Sequence, residues 1–427
     1  MKTYFFSKLS ADKISKLCAR SAVDFSQIFP IVDDIQKEIL SRGDAAIRDF
    51  TEKFDGVRLE DFSVSVSEFL AAEKKVKSDL KKAISVAAKN IQKFHEKTAP
   101  KNSEKIETTA GVFCWRKFCA IEKVGIYIPG GSAPLFSTLL MLAIPAKIAG
   151  VKNVFCATPP QKNGKIAPEI LVAAKIAGVK NIFKMGGAHA IFALANGTKK
   201  IPKVDKIFGP GNAFVTAAKM RISEKCAIDM PAGPSEVLVV ADENSRADFV
   251  AADLLSQCEH GADSQSVAVV FSSKKADEIL AEMAVQIKSL PRRKIVEKSL
   301  QNSFFVICEN ENDAIKFTNF YAPEHLILHL KSSENFSQKI QNAGSVFVGE
   351  FSPESAGDYA SGTNHTLPTS GFARAFSGVS VESFGKWISF QKLSRAGLSN
   401  LAPTIEKMAI AEGLLAHKNA VSIRLKK

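Results

Sequence analysis

The segment AKIAGVKNVF at residues 146–155 returns almost letter for letter as AKIAGVKNIF at residues 174–183. Each copy carries a helix into a glycine and then opens a β-rich run, so Gly150 and Gly178 suit the left-handed residue that stops a helix. The offset of 28 residues between the copies matches one helix plus one strand with their turns. Two successive units of that kind pack as right-handed crossovers on a parallel sheet. Only two copies occur, which speaks against a solenoid.

The alternation continues with KVDKIFGPG and the helical NAFVTAAKMRI. A second series opens on the strand SEVLVVAD and the helix RADFVAADLLSQCEHG, closed by Gly261, and runs on through SVAVVFSS, SFFVICEN, LILHLK and SVFVGEF. Ahead of both, residues 10 to about 100 place apolar side chains at three- and four-residue spacing between charged faces, the pattern of amphipathic helices. The fold class expected is α/β, with two doubly wound Rossmann-like units on parallel sheets, a helical N-terminal region and a helical C-terminal tail. The boundaries fall at 1–123, 124–235, 236–373 and 374–427. The polar, glycine-rich stretch SPESAGDYASGTNHTLPTSGFA (352–373) reads as one long loop, a feature more often functional than idle. The last helix lies beyond the second unit, placed to reach a partner.

A chain of 427 residues, 46% hydrophobic and 24% charged, buries a large core without staples, so any metal it binds is there for chemistry. The net charge of +13 raises a nucleic-acid reading. The lysines are scattered, however, and the densest basic stretch, SLPRRKIVEK, has no stacking aromatics in it. The charge implies no nucleic-acid partner and stays compatible with an anionic small molecule such as a dinucleotide. Lys2, Lys8, Asp12 and Lys13 break up the place a signal peptide would keep apolar, and LLMLAIPA is too short to span a membrane. Seven cysteines without a CxxC pair fit reduced thiols in a cytoplasmic protein.

Phosphate motifs are weak. GPGNAF has Gly209 and Gly211 but Phe214 where a dinucleotide fingerprint has its third glycine, and GIYIPGG lacks the lysine of a P-loop. Tight structural turns or a nucleotide cradle at the strand ends both remain open. The histidines are more informative. His95, on a charged helix face, and His329, inside a strand, read as structural. His260 follows Gln257 by three residues, so on a helix both share one face, whereas Cys258 points elsewhere and reads as an inert thiol. Glu259 reads as a support for the loop or for a ligand. His325 directly follows Glu324, Asp358 and His365 share the long loop, and His417 follows Glu412 on the last helix. Imidazole and carboxylate suit a catalytic zinc, although no HExxH pattern is present.

Taken together, VGIYIPGG, IPAKIAGV, GPGN, AGPSE, LLSQCEHG, YAPEHL, PESAGDYASGTNHTLPT and EGLLAHKNAV closely resemble segments of the histidinol dehydrogenase family, in family order from residue 124 to 421. The resemblance implies a zinc enzyme of histidine biosynthesis that oxidises L-histidinol to L-histidine through histidinaldehyde with two NAD. It implies zinc ligands at Gln257, His260, Asp358 and His417, and a catalytic acid–base pair at Glu324 and His325. Ser235, His365 and Glu412 match substrate-holding positions, where the zinc ligands and the acid–base pair also touch the substrate. Tyr127 and Asn212 match dinucleotide contacts. The His417 position comes from the other subunit of a homodimer in the family. His325 is then the base for the hydroxyl proton and Glu324 the group that activates water for the second step.

One position departs from the family. GGAHAI stands where GGAQAI is usual, so His189 replaces a glutamine at a cofactor-binding position. This predicts weaker NAD affinity or a pH dependence near neutrality. Rival readings are a related NAD-dependent dehydrogenase of another small alcohol, a zinc hydrolase in which Glu324 activates water, and a binding protein without catalysis. Ser235, His365 and Glu412 argue against the first, the glycine-bearing βα turns against the second, and the Glu324–His325 pair against the third.

Overall fold

The computed structural model describes residues 1–20, 24–130, 134–230 and 233–426. Gly131 of the GIYIPGG turn and Ala232 of AGPSE lie outside the described residues. The strands, in chain order, are β1 (Lys2–Phe5), β2 (Ile106–Thr109), β3 (Val112–Ala120), β4 (Lys123–Tyr127), β5 (Asn153–Thr158), β6 (Asn181–Lys184) and β7 (Lys206–Phe208). They continue with β8 (Ala227–Ile228), β9 (Glu236–Ala241), β10 (Gln265–Val270), β11 (Phe304–Ile307), β12 (His325–His329), β13 (Ser345–Val348) and β14 (Gly385–Leu393).

The repeat does what its glycines require. Gly150 and Gly178 take φ of 90° and 86°, and each closes its helix with the same two bonds. Val151 N–H donates to Ala146 O at 3.1 Å and Gly150 N–H to Lys147 O at 3.0 Å, matched by Val179 to Ala174 at 2.8 Å and Gly178 to Lys175 at 3.2 Å. This double bond from the two residues after the helix satisfies carbonyls that would otherwise be stranded. The strands that follow, β5 and β6, then lie side by side in parallel, Cys156 opposite Ile182.

The fold is α/β, with two parallel sheets of Rossmann-like order. The first runs β6-β5-β4-β7-β8 and the second β1-β11-β10-β9-β12-β13. Each grows one way from its first central strand and then reverses, between β4 and β7 and between β9 and β12. Such reversals open a crevice beyond the strand ends. The helix Phe136–Ala149 is buried nearly all round, which explains why its sequence is apolar without a polar stripe. N-terminal helices Ile28–Arg42 and Asp44–Asp55 pack their apolar stripes onto the first unit through Val32, Ile35 and Ile47.

Three features differ from the sequence reading. β1 is the edge strand of the second sheet, paired with β11, so the first residues belong to the second unit and not to the N-terminal helices. β14 pairs antiparallel with β3, tying the start of the C-terminal tail to the N-terminal region in a three-stranded sheet with β2. His95 is not on the charged face. The helix Ser78–Lys97 buries Ile84, Ala87, Ala88, Ile91 and His95, and that stripe carries the imidazole inward. Burial lowers its pKa to about 4. Among the described residues, no helix is long and apolar enough to cross a membrane.

Candidate active site

Two cavities flank the carboxyl ends of the first sheet, the larger between the N-terminal helices and the first unit and the smaller where the two units meet. The larger, about 730 Å³, opens at the carboxyl ends of the first sheet and is lined by Tyr127, His189 and Asn212 together with Asp55 and Phe54. The smaller, about 300 Å³, is lined by Ser235, His260, Glu324, His325, Asp358 and His365. It is built from carboxyl ends of the first sheet and amino ends of the second, since His325 opens β12 and Ser235 directly precedes β9. Asn212 borders both cavities.

The turn after β7 is shaped by close packing. Gly209 takes φ of 123°, and a side chain there would collide with the Tyr127 carbonyl. Its glycine therefore serves the turn itself, the plainer of the two sequence readings. Asn212 caps the next helix, its side-chain oxygen accepting from Phe214 N–H and Val215 N–H, both at 3.1 Å. Its amide nitrogen is left to face the cavities. The Tyr127 hydroxyl accepts from Gly187 N–H at 3.0 Å, and burial pushes the phenol up to about 12. Asp55, a residue the sequence reading did not single out, places a buried, unpartnered Oδ2 at this cavity, and burial raises its carboxyl to about 6.

His189 is wholly buried, beside the rings of Phe50 and Phe54, with Nε2 at 3.4 Å from Thr51 Oγ1. Desolvation drives its pKa to about 3. A ring that stays neutral there argues against the expected pH dependence near neutrality and leaves weaker NAD affinity as the expected consequence. Unfolded His189 takes up a proton below about 6.5, so its contribution to stability is complete above that pH and is lost as the pH falls toward about 3. His189→Gln should leave the pH profile of NAD affinity flat between about pH 6.5 and 8.5 and flatten part of the acid destabilisation. Titrations of NAD binding and of melting temperature against pH check both; a wild-type affinity that changes across that range and levels in the variant refutes the assignment.

In the smaller cavity the helix Ala247–Cys258 ends at Cys258, and His260 follows on a turn in which its N–H donates to Gln257 O at 3.3 Å. Gly261 is not left-handed and does not close the helix, correcting the sequence reading. Gln257 and His260 nonetheless reach the same group. In the amide orientation that satisfies both neighbours, Gln257 donates to Glu354 Oε1 and Oε2 at 2.5 and 2.9 Å and accepts from Glu236 N–H at 3.0 Å. His260, Glu354 and Asp358 can each bring a ligand atom within 4.8 Å of the others. Glu354 is the member of this cluster that sequence reasoning missed. Its signal was there, because Glu354 and Asp358 are four apart on the short helix Glu354–Tyr359 inside the supposed loop. Cys258 turns away and lies 3.2 Å from Ser266 Oγ, its thiol raised by burial.

The electrostatics call for a cation. Burial and neighbouring carboxylates push Glu324 and Glu354 well above the usual range, and burial takes Asp358 to about 7. Among the described residues neither Glu354 nor Asp358 has a lysine or arginine partner. A mixed imidazole, amide and carboxylate donor set of this kind fits zinc. His325 Nδ1 lies 3.2 Å from Glu236 O, so Nδ1 carries the proton and Nε2 is the free base, buried and unpartnered, 3.8 Å from Asp358 Oδ1. Desolvation lowers the His325 pKa to about 3.

Within one chain, Glu412 and His417 are not part of this cluster. Glu412 caps the helix Arg395–Ala411, His417 lies in the first turn of the helix Leu415–Leu425, and both are exposed.

The histidinol dehydrogenase family model matches residues 18–425. Histidinol dehydrogenase of Bacteroides fragilis is 52% identical over 412 residues, covering 96% of each chain. The chloroplastic histidinol dehydrogenase of Arabidopsis thaliana is 52% identical over 431 residues, covering 100% of this chain and 92% of its own. The crystal structure of histidinol dehydrogenase from Elizabethkingia anophelis superposes with a TM-score of 0.96 at 50% identity, over 100% of this chain and 98% of that one. A match this complete in sequence and in fold places the chain in the histidinol dehydrogenase family.

Proposed function

We propose that this chain oxidises L-histidinol to L-histidine in two NAD-dependent stages through histidinaldehyde, with one zinc per subunit, in a homodimer that shares its active sites. As a member of its family it is an NAD-dependent dehydrogenase of histidine biosynthesis. The observation that carries the reading is the junction at Asn212, where a cavity of about 730 Å³ meets one holding a free imidazole base and metal-type donors. Both volumes suit small ligands.

Tyr127, His189 and the free amide nitrogen of Asn212 hold the dinucleotide, and Asp55 accepts a hydrogen bond from one of its hydroxyls. Bound NAD supplies the hydride acceptor for each stage. Gln257, His260 and Asp358, with His417 of a second copy, would hold zinc, which supplies a template for the amine and imidazole of histidinol. Ser235, His365 and the second copy's Glu412 hold the substrate's polar groups. His325 Nε2 takes the proton of the carbinol hydroxyl in the first stage. Glu324 takes a proton from the water that adds to the aldehyde, giving the hydrate that is oxidised in the second. The burial of both side chains keeps bulk water from the reacting carbon.

The assay is direct: L-histidinol with NAD should yield two NADH for each histidine formed, whereas one NADH with accumulating aldehyde sinks the four-electron reading. The shared site is supported by the tail, whose helices expose Met408, Leu415 and Ile423 at 59%, 64% and 57%. Such an apolar face fits burial against a second copy. Mixing inactive His260→Ala and His417→Ala proteins should restore up to about a quarter of wild-type activity, as subunits exchange at random. No recovery in samples whose exchange is verified by mass spectrometry counts against sharing.

A further inference from the structure

We infer that Arg20 and Glu236 form a positioning device for the Glu324–His325 pair, a role that rests on the function proposed above. Glu236, the first residue of β9, reaches both members. Its N–H donates to Glu324 Oε2 at 2.9 Å, its Oε1 accepts from Glu324 N–H at 3.2 Å, and its carbonyl faces His325 Nδ1 at 3.2 Å. The third contact fixes which imidazole nitrogen is the base. The same N–H reaches the Gln257 oxygen at 3.0 Å, so one residue orders the base, the acid and a candidate metal ligand.

Arg20 holds Glu236 in turn. Nε and Nη2 each lie 2.7 Å from a Glu236 carboxylate oxygen, the planar two-bond geometry that only arginine supplies. The guanidinium stacks 3.7 Å from the Tyr321 ring centroid and donates to Cys18 O at 2.8 Å and Ala322 O at 3.4 Å. Both charged side chains are buried. A buried pair of this kind does little for stability compared with an apolar pair of the same size, so its presence calls for another explanation.

Backbone strain points to the same place. Among the described residues, three that are not glycine take positive φ: Arg20 at 56°, Ala322 at 52° and Ser370 at 56°. Arg20 is the clamp itself, Ala322 accepts from it, and the Ser370 backbone amide favours the charged form of the Glu236 carboxyl. Strain held at one point by several elements is the mark of a site whose geometry matters more than its ease of folding.

The test uses zinc-loaded full-length protein with L-histidinol and, separately, L-histidinaldehyde. Arg20→Met and Glu236→Gln should each lower kcat by about 10–100-fold while KM for either substrate stays within about threefold. Their combination should be no worse than the more damaged single variant, because both break one device. Arg20→Lys, which keeps the charge without the fork, should recover only part of kcat. Where a single variant folds poorly, Arg20→Met with Glu236→Leu replaces the ion pair by an apolar one and should restore the melting temperature without restoring kcat. Recovery of both, kcat within twofold of wild type in the single variants, or a loss confined to KM, each overturns the positioning role. An inactive wild-type protein would instead overturn the functional reading.

Discussion

Replacing His325 by asparagine should lower kcat for L-histidinol by about 10²–10⁴-fold, the range that a positioned general base contributes. Asparagine still donates to the Glu236 carbonyl that His325 Nδ1 faces at 3.2 Å, so the start of β12 keeps its hydrogen bond. What disappears is Nε2, the buried, unpartnered nitrogen. The imidazole is the free base already near neutrality, because desolvation holds its pKa at about 3. Loss of the ring therefore removes an acceptor that was ready, and raising the pH should not restore the rate. Steady-state kinetics between about pH 7 and 9 decide it: a variant within tenfold of wild type, or one rescued by alkali, would remove His325 from the chemistry.

Metal removal should have an effect of similar size. A chelator should abolish oxidation of L-histidinol, and zinc should restore it together with a rise in melting temperature. The structural reason is the buried Glu354 and the half-buried Asp358, four residues apart on one short helix with no basic partner among the described residues. Without a cation both bind protons far more readily than ordinary carboxylates, Asp358 near pH 7. Zinc held by Asp358 must displace the Asp358 proton, so its apparent affinity should fall about tenfold per pH unit below about pH 7. At about a thousand times its Kd, zinc should add about 4 kcal/mol to stability. Competition against a metal indicator at several pH values measures this. An affinity unchanged between about pH 5.5 and 7.5 would refute the carboxylate assignment.

The fold was legible where local chemistry settles it. Gly150 and Gly178 can each end a helix in only a few ways, and both use the same one. Parallel crossovers and the two strand-order reversals follow from that repeat and its continuation. β1 was not legible, because KTYF is short and mostly exposed, and its partner β11 lies some three hundred residues along the chain. Likewise β14 meets β3 across most of the sequence. The site was legible where residues of a metal or proton type stood next to each other in sequence, as at Gln257 with His260 and at Glu324 with His325. Glu354 was passed over because a glycine-rich context hid a six-residue helix. Glu236 and Arg20 look like ordinary surface charges in sequence, and only tertiary packing reveals them as buried partners. The exposed Glu412 and His417 have no assignment within one chain, whatever pattern they carry.

The pairing of β1 with β11 also orders the birth of the protein. At roughly 5–20 residues per second, a ribosome needs about 15–60 s to travel from the N-terminal strand to the partner that receives it. Arg20 emerges early but can grip Glu236 only when β9, β10 and β11 stand ready beside the waiting N-terminal segment. The acid–base pair would thus gain its final geometry in one of the last steps of folding, so a nascent or truncated chain would carry every reactive side chain of the first unit and still be inert.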